Sequence, residues 1–134
     1  MLMRMLQITV TILALILIGC NNQADETDAL KAAERIHSLI TKHDFSSIYR
    51  ESSDSFKAAG DEARFVEAME KIQAAIGSLK SATPVAFKSG LDTNVGRKHE
   101  LLFDLQYERG RAKERMEFTR SQNGEMQLWD LVIE

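Results

Sequence analysis

The chain predicts an α+β fold: N-terminal helices packed on a curved four-stranded antiparallel sheet, in a cone-like arrangement of helices followed by a β-meander. Three observations carry this expectation. Apolar residues recur at helical spacing as far as Gly77, the period drops to two beyond it, and two turn signals divide the second half.

The first helix is expected over residues 28–41, where Ala29, Ala32, Ala33, Ile36, Leu39 and Ile40 share one face and Asp28 stands as N-cap. Asp44 caps a short second helix burying Phe45, Ile48 and Tyr49. Residues 52–57 are consistent with another helical turn that places Phe56 inward. Gly60-Asp61 interrupts the chain, and the next helix carries the stripe Phe65, Ala68, Met69, Ile72 and Ile76, closed by Gly77.

Val85 and Phe87 suggest the first strand, with Pro84 at its start and residues 89–98 as a polar connection. Asn123-Gly124 reads as a type I′ hairpin turn. Counting outward from it pairs Phe118 with Trp129, Met116 with Leu131 and Glu114 with Ile133. Arg109-Gly110, a weaker turn signal, pairs Leu101 with Phe118, Phe103 with Met116, Leu105 with Glu114 and Tyr107 with Ala112. The opposite face then sets Asp104 against Arg115 and Glu108 against Arg111, with one like-charge misfit, Glu117 against Asp130.

Ahead of this body, Arg4 precedes an apolar run from Leu6 to Ile18 that closes in Leu17-Ile18-Gly19-Cys20. The run suits a signal-peptide core of about 7–15 residues and is short for a membrane span of about 20. It resembles a bacterial lipoprotein leader with its lipobox. That resemblance implies cleavage after residue 19 and a thioether-linked diacylglycerol on Cys20, with the membrane as partner through lipid. Asn21, where aspartate would favour the inner membrane, implies an outer-membrane protein facing the periplasm if the host is Gram-negative. The expected organisation is a signal peptide over residues 1–19, a lipidated cysteine and polar tether over 20–27, and a domain over 28–134.

A lipidated Cys20 leaves no thiol for a disulfide, because the chain has a single cysteine, so the domain must rest on its core. The net charge is −3, and the leader holds one of the 17 basic residues, so the body is slightly more acidic. That balance argues against nucleic acid as a partner.

Within the domain, Asp44-Phe45 before Tyr49, Ser55-Phe56-Lys57, a helix around Phe65, and Ile76-Gly77 before the sheet resemble small exported families of unknown function. These families lie in the nuclear transport factor 2-like superfamily (cystatin-like fold). The resemblance covers residues 28–133 and implies a cone whose concave face holds a pocket and whose outer sheet face commonly dimerises. It implies no single activity, since this fold hosts many.

The strand registers line that concave face with Leu101, Phe103, Leu105, Tyr107, Met116, Phe118, Trp129, Leu131 and Ile133. Glu114 is the one carboxylate among them. Desolvation there would suit a general base, as acidic residues serve the steroid isomerases of this superfamily; the bland alternative leaves Glu114 near the open end of the sheet, hydrated or paired with Arg35 or Lys113. Leu102, Leu128 and Val132 on the outer face form a candidate interface for a second copy or an envelope protein. His37, His43 and His99 lack ligand spacing, and no metal or cofactor is expected. The basic residues from Arg97 to Arg120 interleave with acids as a solvated, salt-bridged face. The expected function is a lipid-anchored, non-enzymatic domain that holds an apolar small ligand or docks a protein. The alternatives are an isomerase- or hydrolase-like enzyme using Glu114, and a structural envelope subunit.

Overall fold

In the computed structural model, residues 23–134 are described; the expected signal peptide and the expected lipidation site, Cys20, lie outside them. Four helices precede a four-stranded antiparallel open sheet in the order β1-β2-β3-β4. Helix α1 includes residues 23–41, followed by α2 (Phe45–Glu51), α3 (Asp54–Ala58) and α4 (Glu62–Ile76). The strands are β1 (Leu79–Asp92), β2 (Gly96–Tyr107), β3 (Gly110–Arg120) and β4 (Met126–Ile133).

Helices α2, α3 and α4 each start on a side-chain cap. Asp44, Ser53 and Asp61 accept from the backbone N–H groups of Ser47, Phe56 and Arg64. Helix α4 ends at Gly77, whose φ of 85° no side chain adopts easily. Tyr49 joins α2 to α3 and to the loop before α4 by directing its hydroxyl at the carbonyls of Lys57 at 3.2 Å and Gly60 at 2.8 Å. Ala68 does not share the apolar stripe expected of α4; it is exposed, and Met69 is the buried residue of that helix.

Residues 23–27 were expected in a polar tether, but they are helical, and Asp28 is an interior residue of α1 rather than its cap. The reason lies in the sheet. Arg120 on β3 donates to Asp25 at 2.6 Å and to Asp28 at 2.8 Å, which gives the polar first turns of α1 a docking partner.

The expected polar connection over residues 89–98 is also replaced. Strands β1 and β2 pair continuously from Phe87–Leu101 to Asp92–Gly96, leaving a tight turn between them. Val85 falls in a register shift between Pro84 and Ala86 and is exposed instead of packing beside Phe87.

The β2–β3 register differs from the expected one by two residues, because Tyr107 pairs with Gly110 and the loop is Glu108-Arg109. That loop docks on the end of α4. Arg109 N–H donates to Ile76 O at 2.9 Å, and the Arg109 guanidinium donates to Ala74 O at 2.9 Å. Those are carbonyls a helix terminus leaves unpaired, so capping α4 sets the turn. The shift is even, so every side chain keeps its expected face. The cross-strand partners change: Leu101 meets Met116, Phe103 meets Glu114, Asp104 meets Lys113 and Leu102 meets Arg115.

Between β3 and β4 two departures cancel. Ser121 and Glu125 close a three-residue loop in which Gly124 has φ 82°, one residue longer than the expected two-residue turn. A register shift after Glu117 then pairs Phe118 with Leu128 rather than with Trp129. Beyond it Met116–Leu131 and Glu114–Ile133 stand as counted. The bulge exchanges two neighbours. Leu128 is core at 3% exposure, while Trp129 leaves the inward set and lies under the Lys98 ammonium, 3.7 Å from its ring centroid.

Candidate functional site

The inward sheet face is filled. Leu101, Phe103, Leu105, Tyr107, Met116 and Phe118, expected to line a pocket, are buried against Ala29, Ala33, Ile36, Leu39 and Ile40 of α1, with Leu131 and Ile133 packed at the margin. Glu114 sits among them at 2% exposure. Its Oε1 lies 2.6 Å from His37 Nε2, across the α1–sheet interface. Arg35, the partner weighed from sequence, instead donates to Glu51 at 2.7 Å. Lys113 lines the opposite side of the sheet.

The His37 ring stands edge-on to Phe103 with centroids 4.7 Å apart, so packing as well as the hydrogen bond fixes it. Glu114 Oε2 and the Tyr107 hydroxyl are both buried without a hydrogen-bond partner in the protein. Burial, and secondarily the Glu114 carboxylate, push the Tyr107 phenol up to about 12. The carboxylate, imidazole and phenol therefore form a polar inclusion inside an apolar core.

A second polar cluster joins α1 to the other end of the sheet. His99 was expected to begin a strand. It lies inside β2 at 1% exposure, stacked on Phe87 with centroids 6.0 Å apart. Its Nε2 faces Asp25 Oδ2 at 3.7 Å, and its Nδ1 is 2.7 Å from Ser89 Oγ. The carboxylate favours a proton on Nε2, so the serine hydroxyl donates to Nδ1. Desolvation lowers the His99 pKa; Asp25 opposes that shift, and Arg120 and Arg97 add to it. His43 is separate from both clusters, beyond the end of α1 with φ 56° and its ring against Gln73. Among the described residues no three His, Cys, Asp or Glu side chains gather as a metal site.

The open concavity is on the outer sheet face. A groove of about 730 Å³ is bordered by Ser81, Thr83, Gln106 and Arg111. It adjoins a second depression of about 230 Å³ floored by Val85, Leu102 and Val132. Asp104, Lys113 and Glu134 line both. Two of the three expected interface residues, Leu102 and Val132, are therefore here, and Leu128 is not. Arg115 resolves the like-charge misfit, reaching Glu117 and Asp130 at 3.3 Å each.

Sequence reasoning missed His37 as the partner of Glu114, although His37 lies four residues after Ala33 and beside Ile36 on the buried side of α1. It also missed the Asp25–His99–Ser89 cluster, which exists only because β1 and α1 extend beyond their expected bounds. No family model matches the chain, and no curated protein sequence is significantly similar to it.

Proposed function

We propose that this chain is a lipid-anchored envelope lipoprotein whose domain is a non-enzymatic interaction module, binding a protein through its outer sheet face. The observation that carries the reading is the contrast between the two faces. The inward face is occupied by the protein's own helices, whereas the outer groove combines an apolar floor of Val85, Leu102 and Val132 with charges of both signs. A mixed apolar and charged surface is suited to protein association. Asp104 and Glu134 beside Arg111 and Lys113 also allow self-complementary pairing about a two-fold axis. An apolar small ligand in the cone is disfavoured, because the side chains that would line its site are core.

Two measurements on the full-length protein test this. Labelled palmitate is incorporated by the natural protein and lost in Cys20→Ala; continued labelling of that variant ends the lipoprotein reading. Sedimentation of the detergent-solubilised protein gives a dimer that Leu102→Asp converts to monomer. A natural protein that is already monomeric at high concentration ends the self-association reading.

Glu114 favours a second reading, an acid–base enzyme of the isomerase or hydrolase kind. Its free Oε2 and the unpartnered Tyr107 hydroxyl are the groups such chemistry would use. Under that reading Glu114→Gln abolishes turnover. Under the interaction reading it changes only stability.

A further inference from the structure

We propose that the tip of the β1–β2 hairpin is a second membrane contact, with Leu91 and Val95 entering the interface of the bilayer that holds the lipid anchor. The inference rests on the lipoprotein reading and adds to it an orientation and a lipid-facing surface.

Three placements converge on one end of the domain. The first is the start of α1. Asp25 is held by Arg120 at 2.6 Å and faces His99 at 3.7 Å, so the helix begins against β2 and β3 at those positions. Cys20 is three residues before Gln23 in the sequence, at most about 10 Å of chain. Acyl chains on Cys20 therefore bring this end of the sheet to the membrane surface.

The second placement is the hairpin itself. β2 pairs with β3 only as far as Lys98–Thr119, whereas β1 and β2 stay paired to Asp92–Gly96. The hairpin tip lies at the end of the sheet where Asp25 is clamped, beside the tip of the β3–β4 hairpin, which closes at Ser121–Glu125. Leu91 is 81% exposed and Val95 36%; together with Val85, which lies in the outer groove, they are the large hydrophobic residues exposed among the described residues.

The third is the chemistry of the tip. Asp92 accepts from the backbone N–H groups of Asn94 at 2.8 Å and Val95 at 3.2 Å, and Lys98 lies 3.3 Å from its other oxygen. The turn thereby meets two of its own donors internally, which lowers the cost of moving it out of water. Lys88 and Arg97, both exposed, flank the tip where anionic headgroups would meet them. The neighbouring hairpin tip, residues 121–125, is polar and includes Glu125, so it suits the headgroup layer but not the acyl region.

Acyl chains at a single residue hold the body at the bilayer but leave it free to turn; an additional apolar contact fixes how it faces the membrane. With this end down, the β2–β3 turn at Glu108-Arg109 points away from the membrane. The outer groove then stands at the side, open to a protein partner.

The test uses the lipidated full-length protein carrying Leu91→Cys. The acylated Cys20 leaves the new thiol as the one that accepts an environment-sensitive fluorophore. Arg111→Cys, at the far end of the sheet, is the control. In vesicles of phosphatidylethanolamine and phosphatidylglycerol, the probe at position 91 shifts to the blue and loses emission to nitroxide-bearing lipid, while the probe at 111 does neither. Mass spectrometry of the same samples reports the acyl mass on Cys20. If that mass is present and position 91 behaves like 111, the hairpin contact is overturned and the lipoprotein reading stands. If the mass is absent, both fall together.

Discussion

His37 Nε2 and Glu114 Oε1 face each other at 2.6 Å between α1 and β3, with the glutamate side chain fully enclosed and the histidine 13% exposed. A buried pair of this kind contributes little over a well-packed apolar one, but removing one member leaves the other desolvated and unpartnered. His37→Ala is accordingly expected to destabilise the domain by about 3 kcal/mol. Glu114→Gln supplies a side-chain amide that can bond the imidazole, so its cost stays below about 1 kcal/mol. Urea unfolding of the two variants checks the contrast. Equal, large losses would mean that an amide cannot replace the carboxyl group.

His99 gives a pH dependence with a definite sign. Its pKa is lowered in the folded state, chiefly by desolvation, so the unfolded chain binds a proton at higher pH than the native one does. Its contribution is complete above the unfolded value of about 6.5 and declines as the pH falls from there toward the depressed folded value. The slope in that window reaches at most about 1.4 kcal/mol per pH unit for one proton. Asp25 opposes the shift while Arg120 and Arg97 reinforce it, and Ser89 holds the other ring nitrogen. Denaturation of His99→Gln between pH 5 and 7 should show a shallower loss than the natural protein; an unchanged slope assigns the acid sensitivity elsewhere.

Leu128 and Trp129 test the bulge in β4 directly. Alternation from the turn puts Trp129 inside and Leu128 outside, whereas the register shift reverses them, leaving Leu128 at 3% exposure. Leu128→Ala is expected to cost about 2–5 kcal/mol, as for a buried leucine. Trp129→Ala forfeits the contact under Lys98, about 0.5–1 kcal/mol, together with the burial of a partly exposed ring, and is expected to cost less than Leu128→Ala. The reverse ranking in thermal unfolding would place tryptophan in the core.

These two residues also show how far the fold could be read beforehand. The order of helices and strands, the cap at Asp44 and the stop at Gly77 follow from local chemistry, and the structure has each of them. Registers depend on turn length, and turn length here answers to tertiary contacts. The Glu108-Arg109 loop is set by the carbonyls at the end of α4, a constraint that no count along β2 and β3 contains. Near Asn123-Gly124 a loop longer by one residue and a bulge offset each other, so Met116–Leu131 was legible and Phe118–Leu128 was not. The inward position of Glu114 follows from parity alone. Its partner does not, because rotating α1 about its axis decides whether Arg35 or His37 faces the sheet.

Gly77 joins the helical half to the sheet under two constraints at once. Its φ of 85° lies where L-residues are disfavoured, and a Cβ built there would stand 2.7 Å from Glu108 Cβ, on the turn that caps α4. The backbone term alone costs about 1–2 kcal/mol, and the contact cannot be relieved by swinging a flexible side-chain end, because the atom met is a Cβ. Gly77→Ala should therefore lower stability by at least that amount in urea unfolding. Gly60 is the control, since a Cβ there meets nothing within 4 Å. Gly60→Ala should leave the midpoint nearly unchanged. If both substitutions were equally mild, the Gly77–Glu108 approach would not be a constraint on how α4 hands the chain to β1.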